Sequence, residues 1–179
     1  MKVASFNVNS IRARLGNVTE WLGAFQPDVV CLQEIKCQDE QFPLAEIEAA
    51  GYHATVVGQK SYNGVAILSK QPVETRLRAL PGDEEDDHAR YVEVETADGF
   101  VVGGLYLPNG NPAPGPKFDF KLSWMDRLIA HASELLKTEK PFVLCGDYNV
   151  IPTDGDVYSP TAMKDDALGR PESKDRLYT

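Results

Sequence analysis

Four apolar runs in this 179-residue chain each lead into a polar residue capable of chemistry: VASF before Asn7, VVCLQ before Glu34, VVGGL before Tyr106, and FVLCG before Asp147, with Asn149 two residues on. Short β-branched runs bounded in this way read as buried strands. Residues at the ends of core strands are held rigidly and converge at a sheet edge, which is how α/β proteins build sites. This pattern restricts the chain to folds with at least one well-covered sheet.

The intervening segments supply the cover. Leu15, Val18, Trp21, Leu22 and Phe25 fall on one face of a helix predicted to start near Asn9 or Ser10 and to end at Gln26-Pro27. A short helix is predicted from about Pro43 to Ala50, with Gly51 past its end. Tyr52 to Val57, Gly64 to Ser69, Val73 to Leu80, Arg90 to Thr96 and Phe100 to Leu107 read as strands of an antiparallel meander, with Asp98-Gly99 as a hairpin signal. A long helix follows, its apolar face formed by Phe118, Leu122, Met125, Leu128, Ile129, Ala132, Leu135 and Leu136. Beyond Thr153 the hydrophobic pattern fades. No covering layer for the second face of a sheet is evident, so the sequence leads one to expect a chain that stops before its fold is finished.

Composition narrows the class. With 42% hydrophobic and 25% charged residues, disorder, collagen and small disulfide scaffolds are excluded. No apolar run approaches the ~20 residues that span a bilayer, and MKVASFNVNS lacks the features of a secretory leader, so a cytosolic protein is expected. Cys31, Cys37 and Cys145 are expected as free thiols, since their spacing suits neither a disulfide framework nor a zinc site. The formal net charge of −9 is unpromising for a phosphate-rich partner, but the run Asp83 to Asp87 reads as a solvated acidic loop and the first 36 residues are slightly basic. Net charge therefore leaves the partner undecided.

The candidate site residues are carboxylates and amides, which suit Mg²⁺ or Mn²⁺ rather than zinc or iron. The sequence holds no GxxxxGK[ST] loop, no GxGxxG after a strand and no GxSxG, so nucleotide-cradling folds and acyl transfer on an α/β-hydrolase have no support. Each residue alone has a plainer reading. Glu34 suits a surface or capping group, Asp147 the opening of a turn, Tyr106 a core aromatic, and Asn7 or Asn9 a helix cap. Five such residues at the ends of apolar strands exceed what caps and turns require.

The blocks SFNVNSIRAR (Ser5 to Arg14), PDVVCLQEIK (Pro27 to Lys36), GQKSYNGVAILSK (Gly58 to Lys70), LYLPNG (Leu105 to Gly110) and GDYNVIPTDGDV (Gly146 to Val157) resemble, in order, those of the exonuclease III family of AP endonucleases, in the endonuclease/exonuclease/phosphatase superfamily. PDVVCLQEIK with NGVAILSK downstream fits the DNA-repair branch better than the inositol phosphatase, sphingomyelinase or DNase I-like branches. The resemblance runs from Met1 to about Val157.

It implies a DNase I-like four-layer α/β sandwich with mixed, largely antiparallel sheets, of which residues 1–179 are the N-terminal portion of a single domain. It implies a Mg²⁺-dependent phosphodiesterase of DNA repair, with Mn²⁺ as a substitute, that cleaves double-stranded DNA at abasic sites and trims 3′ ends as a monomer. Glu34 matches the metal ligand and Asn7 the amide beside it, while Asn9 falls where relatives often carry an acidic residue. Asp147 matches the carboxylate that activates water, and Asn149 a group orienting that water and the phosphate. Tyr106 and Asn109 match contacts to the scissile phosphate, and Lys121 falls near a basic substrate-binding position. The family's second half carries an Asp and a terminal Ser-Asp-His block that this sequence lacks, so the segment alone is expected to be inactive. Two rivals stand beside this reading: a superfamily phosphatase acting on a small phosphate ester or lipid, and a non-catalytic DNA-binding module.

Overall fold

The apolar runs become strands because their side chains have covered surfaces on which to pack. In the computed structural model, which describes residues 1–179, β1 (Val3–Asn7), β2 (Val29–Gln33), β3 (His53–Val57) and β4 (Val65–Ser69) form a sheet of order β1-β2-β4-β3. β1 and β2 are parallel, and the other pairs antiparallel. A second sheet contains β5 (Glu74–Leu77), β6 (Tyr91–Glu95), β7 (Val101–Tyr106) and β8 (Phe142–Asp147) in sequential order, with β7 and β8 parallel. The predicted meander is thus divided between two sheets: β3 and β4 join the first, and β5 to β7 the second.

Strand alternation explains the division. Val30, Leu32, Ala66 and Leu68 face Val18 and Leu22 of α1 (Leu15–Phe25) and Ile47 of α2 (Leu44–Ala49). Their neighbours Val29, Cys31, Val65 and Ile67 face Val92, Val94 and Val102 of the second sheet. All five residues of β2 and of β4 are buried. Full burial of a Val, Leu or Ile contributes roughly 1.5–3 kcal/mol, so these two strands anchor both cores.

α1 begins at Leu15, later than its apolar period suggests. Ser10 and Ile11 donate their amides to the carbonyls of Glu34 and Ile35, at 2.7 and 3.2 Å, extending the β1–β2 ladder where the helix was expected to start. At its other end Gln26 adopts φ 45° and donates to the Leu22 carbonyl, closing the helix before Pro27. Cys31 and Cys37 are buried and Cys145 is half-buried, all as free thiols.

These elements make up one compact unit, Met1–Tyr106 with Glu139–Asp147; Leu107–Thr138 with Tyr148–Thr179 form another. The second unit is built on α3 (Pro116–Lys137), with α4 (Pro171–Leu177) attached through the Arg176–Asp126 ion pair at 2.7 Å. Buried along α3 are Phe118, Lys121, Trp124, Met125, Leu128 and Leu135, whereas Leu136, expected on the apolar face, is exposed. Leu136 lies 18 residues, or five full turns, from the buried Phe118 and so on the same line along the helix; it is exposed at the last turn of α3, not because of its position around the axis. The segment after Thr153, where the pattern fades, is ordered by polar contacts, including a capping box between Thr153 and Asp156 and the helix α4. No helix is long and apolar enough to cross a membrane.

Candidate active site

In the first unit, Asn7, Glu34, Tyr106 and Asp147 come together although their strands are distant in sequence. Asn7, the last residue of β1, donates its Nδ2 to Glu34 Oε1 at 2.8 Å and to Asp147 Oδ2 at 3.0 Å. One carboxamide therefore spans two carboxylates brought by the ends of β2 and β8. Asp147 closes β8 opposite Tyr106 at the end of β7, and the Tyr106 phenol lies close enough to the Glu34 carboxylate for each to shift the other's titration.

The turns that make this convergence are held out of ordinary backbone conformation. Asn9, Ser10, Glu34 and Lys36 have φ of 41°, 86°, 52° and 53°. For non-glycine residues such conformations cost roughly 1–2 kcal/mol each and persist only where the surroundings dictate them. Those surroundings are backbone bonds: besides the Ser10 and Ile11 bonds, Ile35 N donates to Gly64 O at 3.1 Å and Lys36 N to Asn63 O at 3.0 Å. Gly64, at φ 84°, is required here because a side chain would collide with Ile35.

Two residues left without a role by the sequence reading complete this group. Lys36 pairs with Glu34 Oε2 at 2.9 Å and donates to Asn9 Oδ1 at 2.6 Å. Arg90 lies over the Tyr106 ring, 4.8 Å from its centroid, and donates from Nη1 to the Tyr106 carbonyl at 3.2 Å. An isolated basic residue just before an apolar strand was the available signal for Arg90. For Lys36 it was the basic residue two positions after Glu34.

The charge states follow from these contacts. Partial burial pushes the Glu34 carboxyl up, but hydrogen bonds from Asn7 and Lys36, with the nearby Tyr106 phenol, more than offset it and hold the group below the usual carboxylate range. Burial, then the neighbouring Glu34 charge, pushes Tyr106 up to about 12. Tyr106 is therefore a neutral phenol at neutral pH, able to donate a hydrogen bond.

In the second unit, Asn109, Asn149 and Lys121 are joined by hydrogen bonds. Lys121 is fully buried, and its Nζ donates to the carbonyls of Asn149 at 2.5 Å, Asn109 at 3.2 Å and, at a longer 3.5 Å, Ala167. Asn149, at φ 46°, donates its Nδ2 to Leu107 O at 2.8 Å.

Glu34 and Asp147 form a two-carboxylate group, and no cluster of three or more His, Cys, Asp or Glu residues is present. Mg²⁺ is commonly held by one or two carboxylates beside substrate phosphates rather than by an all-protein cage, so this hard oxygen set fits it.

The Endonuclease/Exonuclease/phosphatase family matches residues 4–178 of the chain. Over 161 residues the chain is 38% identical to exodeoxyribonuclease III of Haemophilus influenzae, which covers 88% of this chain and 60% of that protein. An AP endonuclease from Archaeoglobus fulgidus has a TM-score of 0.92 at 35% identity, over 99% of this chain and 68% of that one. A 3′ phosphatase from Neisseria bound to a product DNA hairpin has a TM-score of 0.93 at 31% identity, over 99% and 69%. The chain thus spans about 60% of the length of the Haemophilus protein, and its fold is the DNase I-like α/β arrangement of mixed sheets seen in AP endonucleases. With the family pattern matched along nearly its whole length, the chain belongs to the endonuclease/exonuclease/phosphatase family.

Proposed function

We propose that this chain is part of a Mg²⁺-dependent phosphodiesterase of DNA repair, exodeoxyribonuclease III-like, which cleaves double-stranded DNA at abasic sites and removes nucleotides from 3′ ends. The observation that carries the reading is the Asn7 carboxamide joining the Glu34 and Asp147 carboxylates. The likeness to Haemophilus exodeoxyribonuclease III and to the Archaeoglobus AP endonuclease supports the substrate class. On this reading the two compact units belong to one domain, and the protein works as a cytoplasmic monomer.

Hydrolysis of a phosphodiester needs a positioned water, a base, and charge stabilisation on the non-bridging oxygens. Asp147 takes the proton of the attacking water, and the Asn7 amide holds its carboxylate in place. Asn149 orients the water and the phosphate. Tyr106, protonated at neutral pH, donates to a phosphate oxygen, and Asn109 contacts the same group. Glu34, with the Asn7 side-chain oxygen beside it, would hold the metal ion. When bound, Mg²⁺ supplies positive charge against the negative charge that develops on the phosphate.

The test is turnover of abasic-site duplex by the full-length protein with and without Mg²⁺, beside the Glu34→Gln variant. Glu34→Gln removes a charged hard ligand and should raise the Mg²⁺ concentration needed for half-maximal turnover at least tenfold. Unchanged metal dependence would count against Glu34 as a ligand. The 31% identity to the Neisseria 3′ phosphatase favours a second arm with 3′-phosphorylated duplex. Turnover of phosphoinositide instead of either DNA substrate would move the assignment to the phosphatase branch.

A further inference from the structure

Three loops meet at one buried ammonium in the second unit. Lys121 lies on the covered face of α3 between Phe118 and Met125, with no exposed surface, and its Nζ lies within hydrogen-bond distance of backbone carbonyls 12, 28 and 46 residues away. Two of these carbonyls belong to Asn109 and Asn149. The third, Ala167 O, also accepts the Ser173 hydroxyl at 2.8 Å. The same loops are cross-linked independently: Asn111 donates its Nδ2 to Asp166 at 3.0 Å and accepts the Ala167 amide at 3.0 Å, and Ile151 N donates to Leu168 O at 2.8 Å. The chain also makes room for the lysine stem. At Gly110, φ 88°, an added Cβ would stand 2.6 Å from Lys121 Cδ.

An ammonium with no exposed surface that donates to the carbonyls of two loops and lies against a third has little left with which to grip a phosphate oxygen. Hydrogen bonds from a charged donor are stronger than neutral ones, and in a buried setting the carbonyls would be costly to leave without them. Lys121 therefore fixes where the backbone of Asn109 and Asn149 stands, and with it the origin of both side chains.

We propose that Lys121 is a positioning residue: it acts by locking the Asn109 and Asn149 loops, in place of the direct substrate contact expected from its basic character. The proposal rests on the nuclease reading for the roles of the two asparagines. Loss of the ammonium should impair the chemical step, because misplacing groups by about 1 Å can cost about 10²-fold in rate, while leaving DNA affinity nearly unchanged.

The experiment compares full-length wild type, Lys121→Met, Asn149→Ala and the double variant. Lys121→Met is expected to lower kcat by about 10- to 100-fold with KM within threefold of wild type. In the Asn149→Ala background the same change should cost clearly less than in the wild type, because one of the two groups it positions is already gone. A lysine bound to phosphate would instead multiply its loss in the double variant, and its removal would lower the salt slope of DNA binding by about one; either result overturns the proposal. Should Lys121→Met fail to fold, ¹⁵N NMR of the wild-type ammonium decides. The expected Lys121 Nζ signal is slowly exchanging and does not move on addition of duplex DNA, and a DNA-dependent shift refutes the proposal. If the wild type has no turnover, the nuclease reading fails, while the salt slope and the ammonium spectrum still test the role of Lys121.

Discussion

At Gly146, one residue before Asp147, β8 lies close against β7. Gly146 is paired with Leu105, and a Cβ at this position would lie 2.8 Å from the Leu105 carbonyl carbon, 3.0 Å from its nitrogen, and closer still to its oxygen. All three atoms are backbone, so no side chain can rotate away. Carbon atoms settle about 3.5–4.0 Å apart, so Gly146→Ala forces the end of β8 outward by about 1 Å. The overpacking should cost about 1–3 kcal/mol. For a chain of this size that corresponds to roughly a 2–12 °C fall in Tm. Asp147 moves with the strand, stretching its 3.0 Å bond from Asn7. On the role proposed for Asp147 as base, displacement by this distance should reduce kcat by about 10²-fold. Thermal melting and single-turnover cleavage of abasic-site duplex measure the two effects. A variant that melts and turns over like the wild type would show that the close β7–β8 approach does not set the position of Asp147.

Three further outcomes are expected. Asp147→Asn keeps the shape but removes the proposed proton acceptor, so the chemical step should fall by ~10²–10⁴-fold while DNA binding measured by fluorescence anisotropy survives. Because the folded Glu34 carboxyl titrates below its ordinary value, its contribution to stability is complete above the unfolded value of 4.5 and is lost as pH falls through the folded value. Asn7→Ala removes the amide bond that favours the charged form, so ¹³C NMR titration should find the Glu34 midpoint raised and the acid loss of stability shifted to higher pH. Arg76→Ala leaves the fully buried Glu93 without the guanidinium bond at 2.8 Å, although the Tyr91 hydroxyl at 2.7 Å remains. With Arg76 itself about a third exposed, the expected cost in urea denaturation is about 1–3 kcal/mol, at the low side of a fully buried pair.

Much of the local structure was legible because its causes are local. Apolar period and turn residues predict the strands VVCLQ and VAILS and the helices that carry Leu15 to Phe25 and Phe118 to Leu136, since the side chains to be buried lie within a few residues of one another. A polar residue after each apolar run marked Asn7, Glu34 and Asp147 as strand ends. The start of α1 was misread because Ser10 and Ile11 bond to Glu34 and Ile35, some 24 residues away, in place of a first helical turn.

The residues of the chain determined by themselves which segments would be strands or helices and which chemical groups would stand at the strand ends. Only the tertiary structure placed β4 between β2 and β3 and put β5, β6 and β7 in a different sheet. It alone gave Asn7 partners 27 and 140 residues away and turned Lys121, a basic residue at a buried helical position, into the donor to three separate loops. The physical reason is that burial depends on a pattern repeated every two or three to four residues, whereas the partner of a hydrogen-bonding group depends on which distant backbone the packed sheets and loops bring within about 3 Å.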